Sequence, residues 1–499
     1  MKIKVLLLNL PWQRNSSWGV RAGSRWPHIR DINEGEYLPF PFFLAYAASL
    51  LQKNNINSFI IDAIADKVEE NKLFEKIKSI NPEHIIIETS VPSFHNDLRI
   101  TKIISEMGFS IILCGPNFEI YKPEFLKKHE FINYVLYGEY ECSLLELLNF
   151  LEKGKNLSNV KGLIYRDRES VVKNLKREPF DINILPWPHR ETLPMNKYLD
   201  APGEMLTPCA QIIASRGCPF KCQFCLWPQV VYQGNHYRAR EIKDVVDEME
   251  YLVKEKGFKS VYFDDDTFNI GKKRMLDFCG EIKNRGLNKI QWAIMARPDL
   301  MDEEILTAMK ESGLWAIKYG VESSDQGLVD NIEKGMNLQK AKKMIQFTKM
   351  LGIKTHLTFT FGIPGETKQT IQKTIDFVRK IDPFSVQFSI MTPFPGTKSY
   401  DIFDEKGLFV IKDFSAYDGH FKSVISTVNL TATDLENAKI KAGRIWLDHL
   451  RKRRGFFGNL RRFQEYMSMY SLSSAFRKTL SYLKYVVIER KKYVDTEDI

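Results

Sequence analysis

The sequence lacks any run of about 18 uninterrupted apolar residues, the minimum for a membrane-spanning helix. Its short apolar start, Lys4 to Leu8, is followed by Asn9 and Pro11 rather than by a small-residue cleavage site. We therefore predict a buried strand there, not a signal peptide, and expect a cytoplasmic protein. Hydrophobic residues make up 44% of the chain, and no tract is polar enough to predict disorder.

Cysteine is scarce, because the chain has only seven in 499 residues, too few and too scattered for a disulfide framework. Three of them nevertheless fall together in the segment Ser215-Arg-Gly-Cys218-Pro-Phe-Lys-Cys222-Gln-Phe-Cys225, with the spacing C-x3-C-x2-C. In a reducing compartment, such a group indicates a metal-binding or catalytic loop rather than disulfide bridges.

Acidic residues are scarce near the C-terminus. Between Lys439 and Lys492, fifteen Lys and Arg residues accompany three acidic ones, a local balance of +12 in a chain whose net charge is +10. The remaining residues are therefore close to neutral, and the basic character belongs to the tail.

The chain is longer than the ~250–300 residues at which a single core stops growing, so we expect two large domains and an appendage. Short apolar runs alternate with amphipathic stretches in two blocks, which predicts an α/β protein built from βαβ units. The first block predicts a Rossmann-like, doubly wound parallel sheet, and the second has about six βα units, which predicts a partial (β/α)6 barrel. The expected domains are residues 1–150, a Pro-containing linker at 151–204, the barrel at 205–400, and a basic helical region at 401–499.

The three clustered cysteines follow the first strand of the second block. Three thiolates on one loop can bind three irons of a [4Fe–4S] cluster, leaving the fourth iron open to a substrate or cofactor. A structural zinc site is the alternative, with His236 or Cys209 as a fourth ligand. We predict Cys218, Cys222 and Cys225 as the metal ligands in either case.

This arrangement resembles the radical SAM enzymes over roughly residues 205–400. The resemblance implies that the open iron chelates S-adenosylmethionine (SAM), which one electron cleaves to a 5′-deoxyadenosyl radical. Three strand-end segments resemble the SAM-binding loops of this family: Asp264-Asp-Asp266, Gly320-Val-Glu322-Ser323 and Gly362-Ile-Pro-Gly365-Glu366. On that basis we predict SAM contacts at Asp265, Asp266, Glu322, Ser323 and Gly362. Taken singly, these segments are also typical of caps and turns, and Arg297 could face the cofactor or form an ion pair.

Residues 1–150 resemble the cobalamin-binding domain that precedes many radical SAM domains. The similarity lies in four segments: Pro39 to Ala48, Ile61 to Ala63, Cys114 to Pro116 and Tyr137 to Glu139. It implies cobalamin at the carboxyl edge of the sheet, with contacts predicted at Ser90, Gly115 and Gly138. The D-x-H-x-x-G element, whose histidine ligates cobalt in other cobalamin proteins, is missing after Leu10, and Gly-Gly-Pro-His is replaced by Cys114-Gly-Pro-Asn117. The alternative is a Rossmann-like domain that binds a substrate or a partner.

Two further segments leave alternatives open. The loop from Ser17 to His28 predicts a lid or substrate-contacting loop, in which Arg21 and Arg25 suit a phosphate or carboxylate, or else a packing loop between domains. The basic tail suits an anionic membrane surface, phosphate contacts to RNA, or a helical cap on the barrel. The tRNA methylthiotransferases of the superfamily carry three further cluster cysteines that this N-terminal domain lacks, so a nucleic-acid partner is not expected.

We therefore predict an enzyme with a [4Fe–4S] cluster, SAM and cobalamin, which methylates an unactivated carbon of a lipid, saccharide or other secondary metabolite. Cobalamin-assisted oxidation or cyclisation without methyl transfer is one alternative, and a metal-stabilised binding protein at the membrane surface is another. Expected partners are a small-molecule or lipid-linked substrate and an electron donor such as flavodoxin or ferredoxin. The tail predicts peripheral association with the inner face of the membrane. No individual catalytic side chain is predicted.

Overall fold

The structure is a computed structural model that describes residues 3–14, 17–22, 27–30, 37–419 and 422–469. The chain divides into two compact units, Met1–Ile440 and Lys441–Ile499. The first unit contains two large sheets, and the boundary of the second falls inside a long helix.

The first sheet has seven strands in the order β10-β9-β8-β7-β6-β1-β5. The strands are β1 (Lys4–Asn9), β5 (Asn57–Asp62), β6 (His84–Glu88), β7 (Ser110–Cys114), β8 (Tyr134–Leu136), β9 (Leu163–Asp167) and β10 (Ser170–Lys173). β5, β1, β6, β7 and β8 are parallel, as predicted for a doubly wound sheet. The chain reverses its direction of winding between β1 and β6, which is where ligands bind in sheets of this type.

The helices of this half are α1 (Phe42–Lys53), α2 (Glu70–Ile80), α3 (Phe94–Glu106), α4 (Pro123–Lys128) and α5 (Glu141–Glu152). Helix α1 is buried along most of its length, because its apolar side chains and alanines pack against α5 and the sheet. A small antiparallel sheet of β2 (Gln13–Arg14), β3 (Ser17–Val20) and β4 (His28–Arg30) follows β1 and was not predicted.

Residues 151–204 are more than the plain linker that we expected. They contain the hairpin of β9 and β10, which pairs antiparallel to β8 and forms one edge of the first sheet. Two short apolar runs near the start of this range form β9 and β10, and all of its prolines follow β10. The division of the chain into these four ranges stays a prediction.

The second sheet has six strands in sequential order, β11-β14-β15-β16-β17-β18, all of them parallel. The strands are β11 (Cys209–Ile212), β14 (Ser260–Phe263), β15 (Gln291–Ala296), β16 (Leu314–Glu322), β17 (Lys354–Phe361) and β18 (Ser385–Ile390). Among the described residues β11 and β18 are not paired with each other, so the predicted partial, open barrel is confirmed. Two short antiparallel strands of two residues each, β12 (Ser215–Arg216) and β13 (Arg238–Ala239), form a hairpin whose connection contains the cysteine loop.

The barrel helices are α6 (Ile242–Lys254), α7 (Lys272–Asn284), α8 (Glu303–Glu311), α9 (Gln326–Asn331), α10 (Leu338–Met350), α11 (Lys368–Ile381) and α12 (Lys398–Glu405). Local sequence explains their ends. Thr367 and Thr370 form a capping box at the start of α11, and Asp382 ends this helix in the left-handed conformation.

The last described element is α13 (Ala432–Met469), whose backbone breaks at Gly455. It lies within the basic helical region predicted at 401–499, and the basic residues beyond 469 fall outside the described residues. Within the part of the chain that the structure describes, no helix is both long and apolar enough to cross a bilayer.

Candidate active site

The three predicted metal ligands lie on one loop at the carboxyl end of β11. Cys218, Cys222 and Cys225 are each partly exposed, and all three line the same cavity. The side chain of Gln229 holds the loop together, because its Nε2 donates to the carbonyl oxygens of Cys222 (3.3 Å) and Cys225 (2.9 Å) and to that of Gln223 (3.0 Å). The backbone N–H of Cys225 also donates to the Cys222 carbonyl at 3.2 Å. The loop therefore presents its sulfurs from a fixed backbone.

Gly217 makes this loop possible. Its φ is +83°, and a Cβ atom there would lie 1.9 Å from the carbonyl oxygen of His236. Only glycine combines that backbone angle with so close an approach. The N–H of Gly217 donates to Asp266 Oδ2 at 2.9 Å, which ties the cysteine loop to the acidic triplet after β14.

Burial raises the pKa of the Cys222 and Cys225 thiols. At Cys222 the charges of Lys334 and Arg297 act against this effect, whereas at Cys225 the neighbouring thiols add to it. Binding of iron would therefore release protons from this loop. No three His, Cys, Asp or Glu side chains in the described residues are grouped to hold a single metal ion. A [4Fe–4S] cluster does not require such a group, since each cysteine binds a separate iron.

The cavity above the loop has a volume of about 730 Å³. Of the predicted SAM contacts, Asp266 and Glu322 line it. The Glu322 backbone has a φ of +69°, uncommon for a residue with a side chain. Its carboxylate is fixed by Lys334 Nζ (2.8 Å) and Thr360 Oγ1 (3.0 Å). Glu322 is therefore a buried carboxylate held in one orientation at the cavity wall.

Asp265, Ser323 and Gly362 are not in the cavity wall. Asp265 is 1% exposed and accepts from the Ala214 N–H (2.8 Å) and the Ser215 hydroxyl, so it supports the chain entering the cysteine loop. Burial raises the pKa of this carboxyl to about 7. The Ser323 hydroxyl accepts from the N–H of Asp325 (3.2 Å), and the N–H of Gly362 donates to Glu366 Oε2 (2.5 Å). These three residues shape strand ends instead of facing the cavity.

Several cavity residues were not predicted. The Thr267 hydroxyl lies 3.3 Å from Cys218 Sγ, and Lys318, His356, Thr358 and Gln387 line the wall formed by β16 to β18. A signal was present: polar residues recur at every second position of these strands, as side chains on one face of a strand do. Arg297, left open by the sequence, also lines the cavity, and its guanidinium is held by Asp299 (3.0 and 3.1 Å) and by two backbone carbonyls.

The carboxyl edge of the first sheet is occupied by Arg21, which is 3% exposed. Its guanidinium donates to Asn9 Oδ1 (2.8 Å), Ser93 Oγ (3.2 Å) and Asp97 Oδ2 (2.5 Å), and so bridges the ends of β1 and β6. Arg21 Nη2 and the buried Asn117 Nδ2 have no hydrogen-bond partner among the described residues. Arg25 lies outside the described residues, so the predicted pair of arginines is seen only in part.

None of the three predicted cobalamin contacts lines the cavity. The Ser90 hydroxyl bonds the Ser93 hydroxyl at 2.7 Å. A Cβ at Gly115 would lie 2.5 Å from the Thr89 carbonyl, and one at Gly138 would lie 3.3 Å from Gln233. These positions are filled by the chain itself, and their contact with a cofactor stays a prediction.

A buried ion network joins the two sheets beside the cysteine loop. Arg216, 1% exposed, pairs with Glu139 (3.1 Å) and Glu141 (2.7 Å), and its guanidinium lies 4.7 Å from the ring centre of Phe43. Arg238, its partner across the hairpin, reaches the second oxygen of Glu139 at 2.7 Å. The hairpin that carries the cysteines is thereby anchored on the end of β8.

The comparisons agree with this architecture. Residues 212–378 match the model of the radical SAM superfamily. An uncharacterized methyltransferase of Pyrococcus horikoshii is 30% identical over 76% of this chain and 81% of its own length. The anaerobic magnesium-protoporphyrin IX monomethyl ester cyclase of Rubrivivax gelatinosus is 28% identical over 81% and 70%.

Two solved structures share the fold. The cobalamin-dependent SAM radical enzyme OxsB, with aqua-cobalamin and SAM bound, superimposes with a TM-score of 0.69 at 17% identity, covering 97% of this chain and 71% of that one. The radical SAM methyltransferase TsrM of Kitasatospora setae, with cobalamin and a [4Fe–4S] cluster bound, gives 0.64 at 18% identity, covering 87% and 84%. The chain is thus an enzyme of the radical SAM superfamily, and it has the two-domain fold of these cobalamin-dependent structures.

Proposed function

We propose that this enzyme is a cobalamin-dependent radical SAM methyltransferase that acts on an unactivated carbon of a small molecule. The observation that carries the proposal is the cavity at the carboxyl ends of the barrel strands, which is lined by three cysteines and by the carboxylates of Asp266 and Glu322. Methyltransferases among its relatives support the same activity.

The residues at the barrel edge fit the expected cluster and SAM. The three thiols supply the ligands of a [4Fe–4S] cluster with one open iron, and Asp266 and Glu322 offer negative charge to the cationic groups of SAM. The unpartnered Arg21 Nη2 and Asn117 Nδ2 are buried donors at the edge where a polar ligand such as cobalamin binds in this type of sheet. When bound, the cluster, SAM and cobalamin would supply reductive cleavage of SAM and transfer of a methyl group.

The residues of this chain hold the groups of the site in position. Lys334 and Thr360 hold the Glu322 carboxylate in one orientation. The Thr267 hydroxyl donates to the Asp266 carbonyl (2.7 Å) and lies 3.3 Å from Cys218 Sγ, so it joins the acidic triplet to the cysteine loop. Asp265 fixes the strand end that precedes the cysteine loop.

Anaerobic reconstitution tests the proposal. The chain is loaded with iron and sulfide, then with cobalamin and SAM carrying a CD3 methyl group. We expect a brown [4Fe–4S] spectrum, 5′-deoxyadenosine, and transfer of CD3 to a substrate. A colourless zinc protein would contradict the enzyme assignment and favour a metal-stabilised binding protein.

A second candidate is cobalamin-assisted oxidation or ring closure, favoured by the 28% identity to the cyclase of Rubrivivax gelatinosus. The same experiment separates the two functions. Substrate turnover with 5′-deoxyadenosine but without CD3 in the product would favour oxidation or ring closure.

We include two partners in the proposal. Reductive cleavage needs a one-electron donor such as flavodoxin or ferredoxin.

The second partner is a membrane surface. The +12 balance of residues 439–492 supports contact with the inner face of an anionic membrane from the cytoplasm. Deleting residues 439–499 should weaken sedimentation with vesicles containing phosphatidylserine, and unchanged sedimentation would favour a helical cap.

A further inference from the structure

The cysteine loop has one side toward the cavity and one side toward solvent. Its three cysteines line the cavity. Pro219 and Lys221 stand between the first two cysteines, are exposed, and are not part of the cavity wall. Lys221 directly precedes Cys222, and the Cα atoms of neighbouring residues are only about 3.8 Å apart. The solvent side is therefore separated from the thiols by a single layer of chain.

Two residues from the second arm of the hairpin lie beside this solvent side. Asn235 Nδ2 donates to the Cys218 carbonyl at 3.3 Å, and the carbonyl of His236 is the group that a Cβ at Gly217 would meet at 1.9 Å. Asn235 and His236 are both exposed and do not line the cavity. We call these two residues, together with Pro219 and Lys221, the outer face of the loop.

The remaining sides of the loop are covered by the chain itself. Arg216 and its two glutamate partners are buried between the hairpin and the first sheet. The N–H of Gln223 donates to the carbonyl of Ile332 at the end of α9 (3.0 Å). Gln229 Oε1 accepts from the N–H of Lys398 at the start of α12 (2.8 Å). In the part of the chain that the structure describes, the outer face is therefore where a second protein can approach the thiols.

The outer face carries an unpaired positive charge. No Asp or Glu occurs in residues 205–240, whose Lys and Arg residues are Arg216, Lys221, Arg238 and Arg240. Each of the three arginines is paired with a carboxylate from outside this range. Lys221 is exposed and forms no ion pair with any described residue. The segment that builds the outer face therefore offers a free cation and no carboxylate of its own.

We propose that the outer face is the docking site of the electron donor, and that this donor is a small acidic protein with a flavin or an iron–sulfur group near its surface. The inference rests on the proposed function, because it names where that site receives its electron. One electron leaves the donor for each SAM that is cleaved to methionine and a 5′-deoxyadenosyl radical. Other anionic surfaces can also pair with Lys221, but a donor has to come close to the cluster from outside the cavity.

The size and charge of the outer face suit such a partner. Electron-transfer encounters bury less than about 1,200 Å² in total, so a few residues can form the centre of the contact. Complementary charge raises the rate of association, and salt weakens this effect. Lys221 would thus act on the encounter with the donor, not on the cleavage of SAM.

The test compares two reductants on the reconstituted full-length enzyme at low ionic strength. Flavodoxin, kept reduced by its reductase, needs a docking site, whereas dithionite is a small ion that does not. We expect Lys221→Glu to lose about tenfold of 5′-deoxyadenosine formation with flavodoxin and to keep the wild-type rate and iron content with dithionite. Equal loss with both reductants, or no loss with flavodoxin, would overturn the inference. A ferredoxin is used in parallel, and failure of both proteins where dithionite succeeds would also overturn it.

A binding measurement keeps this inference apart from the proposed function, because it needs no turnover. In calorimetric titration of oxidised flavodoxin into the reconstituted enzyme, Lys221→Glu should raise the dissociation constant about tenfold. Lys78→Glu is the control, since Lys78 is an exposed lysine of α2 that also forms no ion pair with described residues. It should keep the wild-type affinity and both rates.

The outcomes of the two measurements are distinct. Wild-type enzyme that cleaves no SAM with dithionite would contradict the proposed function, and weaker flavodoxin binding by Lys221→Glu would still support the docking site. Equal affinity of wild type and Lys221→Glu for flavodoxin would overturn the docking site and leave the proposed function intact.

Discussion

The two sheets end in carboxyl edges of opposite character. At the barrel edge, the strand-end residues Cys218, Asp266 and Glu322 open onto a cavity of about 730 Å³. At the edge of the first sheet, Arg21 bridges β1 to β6, and Gly115 and Gly138 are packed against neighbouring chain. Parallel strands thus end at one edge that is shaped around a cavity and at another that is filled by its own side chains.

The largest effect should come from the cysteine loop of the open edge. Cys222→Ala should abolish both the [4Fe–4S] absorption and SAM cleavage, because two thiolates cannot hold the cluster in place. Iron content and 5′-deoxyadenosine report the loss, and circular dichroism should stay unchanged. Cys279→Ala, a buried thiol on α7, is the control and should retain its iron. Retained SAM cleavage in Cys222→Ala would refute the ligand assignment.

Much of this edge could be predicted from the sequence. The six parallel strands of the second sheet match the six predicted βα units, and the cysteine spacing identifies the loop, since hydrophobic periodicity and metal-ligand spacing are local properties. The hairpin of β12 and β13 could not be found, because a strand of two residues has no period to detect. Ser90 and Gly138 show the other limit. A serine or glycine at a strand end has the same local sequence whether it contacts a ligand or packs against the chain.

The backbone of the cysteine loop should be nearly as sensitive as its sulfurs. In Gly217→Ala the new Cβ would overlap the His236 carbonyl, so the loop must shift, and we expect most of the reconstituted iron to be lost. Gly257→Ala is matched in backbone, with a φ of +76°, but has nothing within 4 Å of the new Cβ. It should cost only about 1 kcal/mol of stability and keep its iron. Equal iron content in the two variants would show that the close approach does not constrain the cluster loop.

The next largest effect should come from the buried ion network that joins the two sheets. Arg216→Gln leaves Glu139 and Glu141 buried with less compensating charge, and breaking a buried ion pair costs about 3–5 kcal/mol. Arg99→Gln removes an exposed pair with Glu70 and should cost at most about 1 kcal/mol. Urea unfolding of the two variants measures the difference. A similar cost for both would mean that the network does not anchor the hairpin on the first sheet.

The smallest effect is a pH dependence of stability at the carboxyl edge of the first sheet. Burial raises the pKa of Glu88 to about 7, although a hydrogen bond from Tyr140 (2.8 Å) and the charge of Arg21 act against this. Between the ordinary carboxyl pKa of about 4.3 and this value, the folded state holds a proton that the unfolded state has released. The contribution of Glu88 to stability is therefore fully present below about pH 4 and is lost as the pH rises through 7.

Glu88→Gln keeps a neutral, hydrogen-bonding side chain and should remove this dependence. Urea unfolding at pH 5 and pH 8 should show a variant nearly equal to wild type at pH 5 and more stable at pH 8, by at most about 3 kcal/mol. Glu106→Gln replaces an exposed carboxyl on α3. Its stability should differ from that of wild type by the same amount at pH 5 and at pH 8. A constant difference between Glu88→Gln and wild type would mean that Glu88 stays ionised in the folded protein. The closed edge would then carry a buried negative charge balanced by Arg21, which is a different electrostatic environment for any ligand bound there.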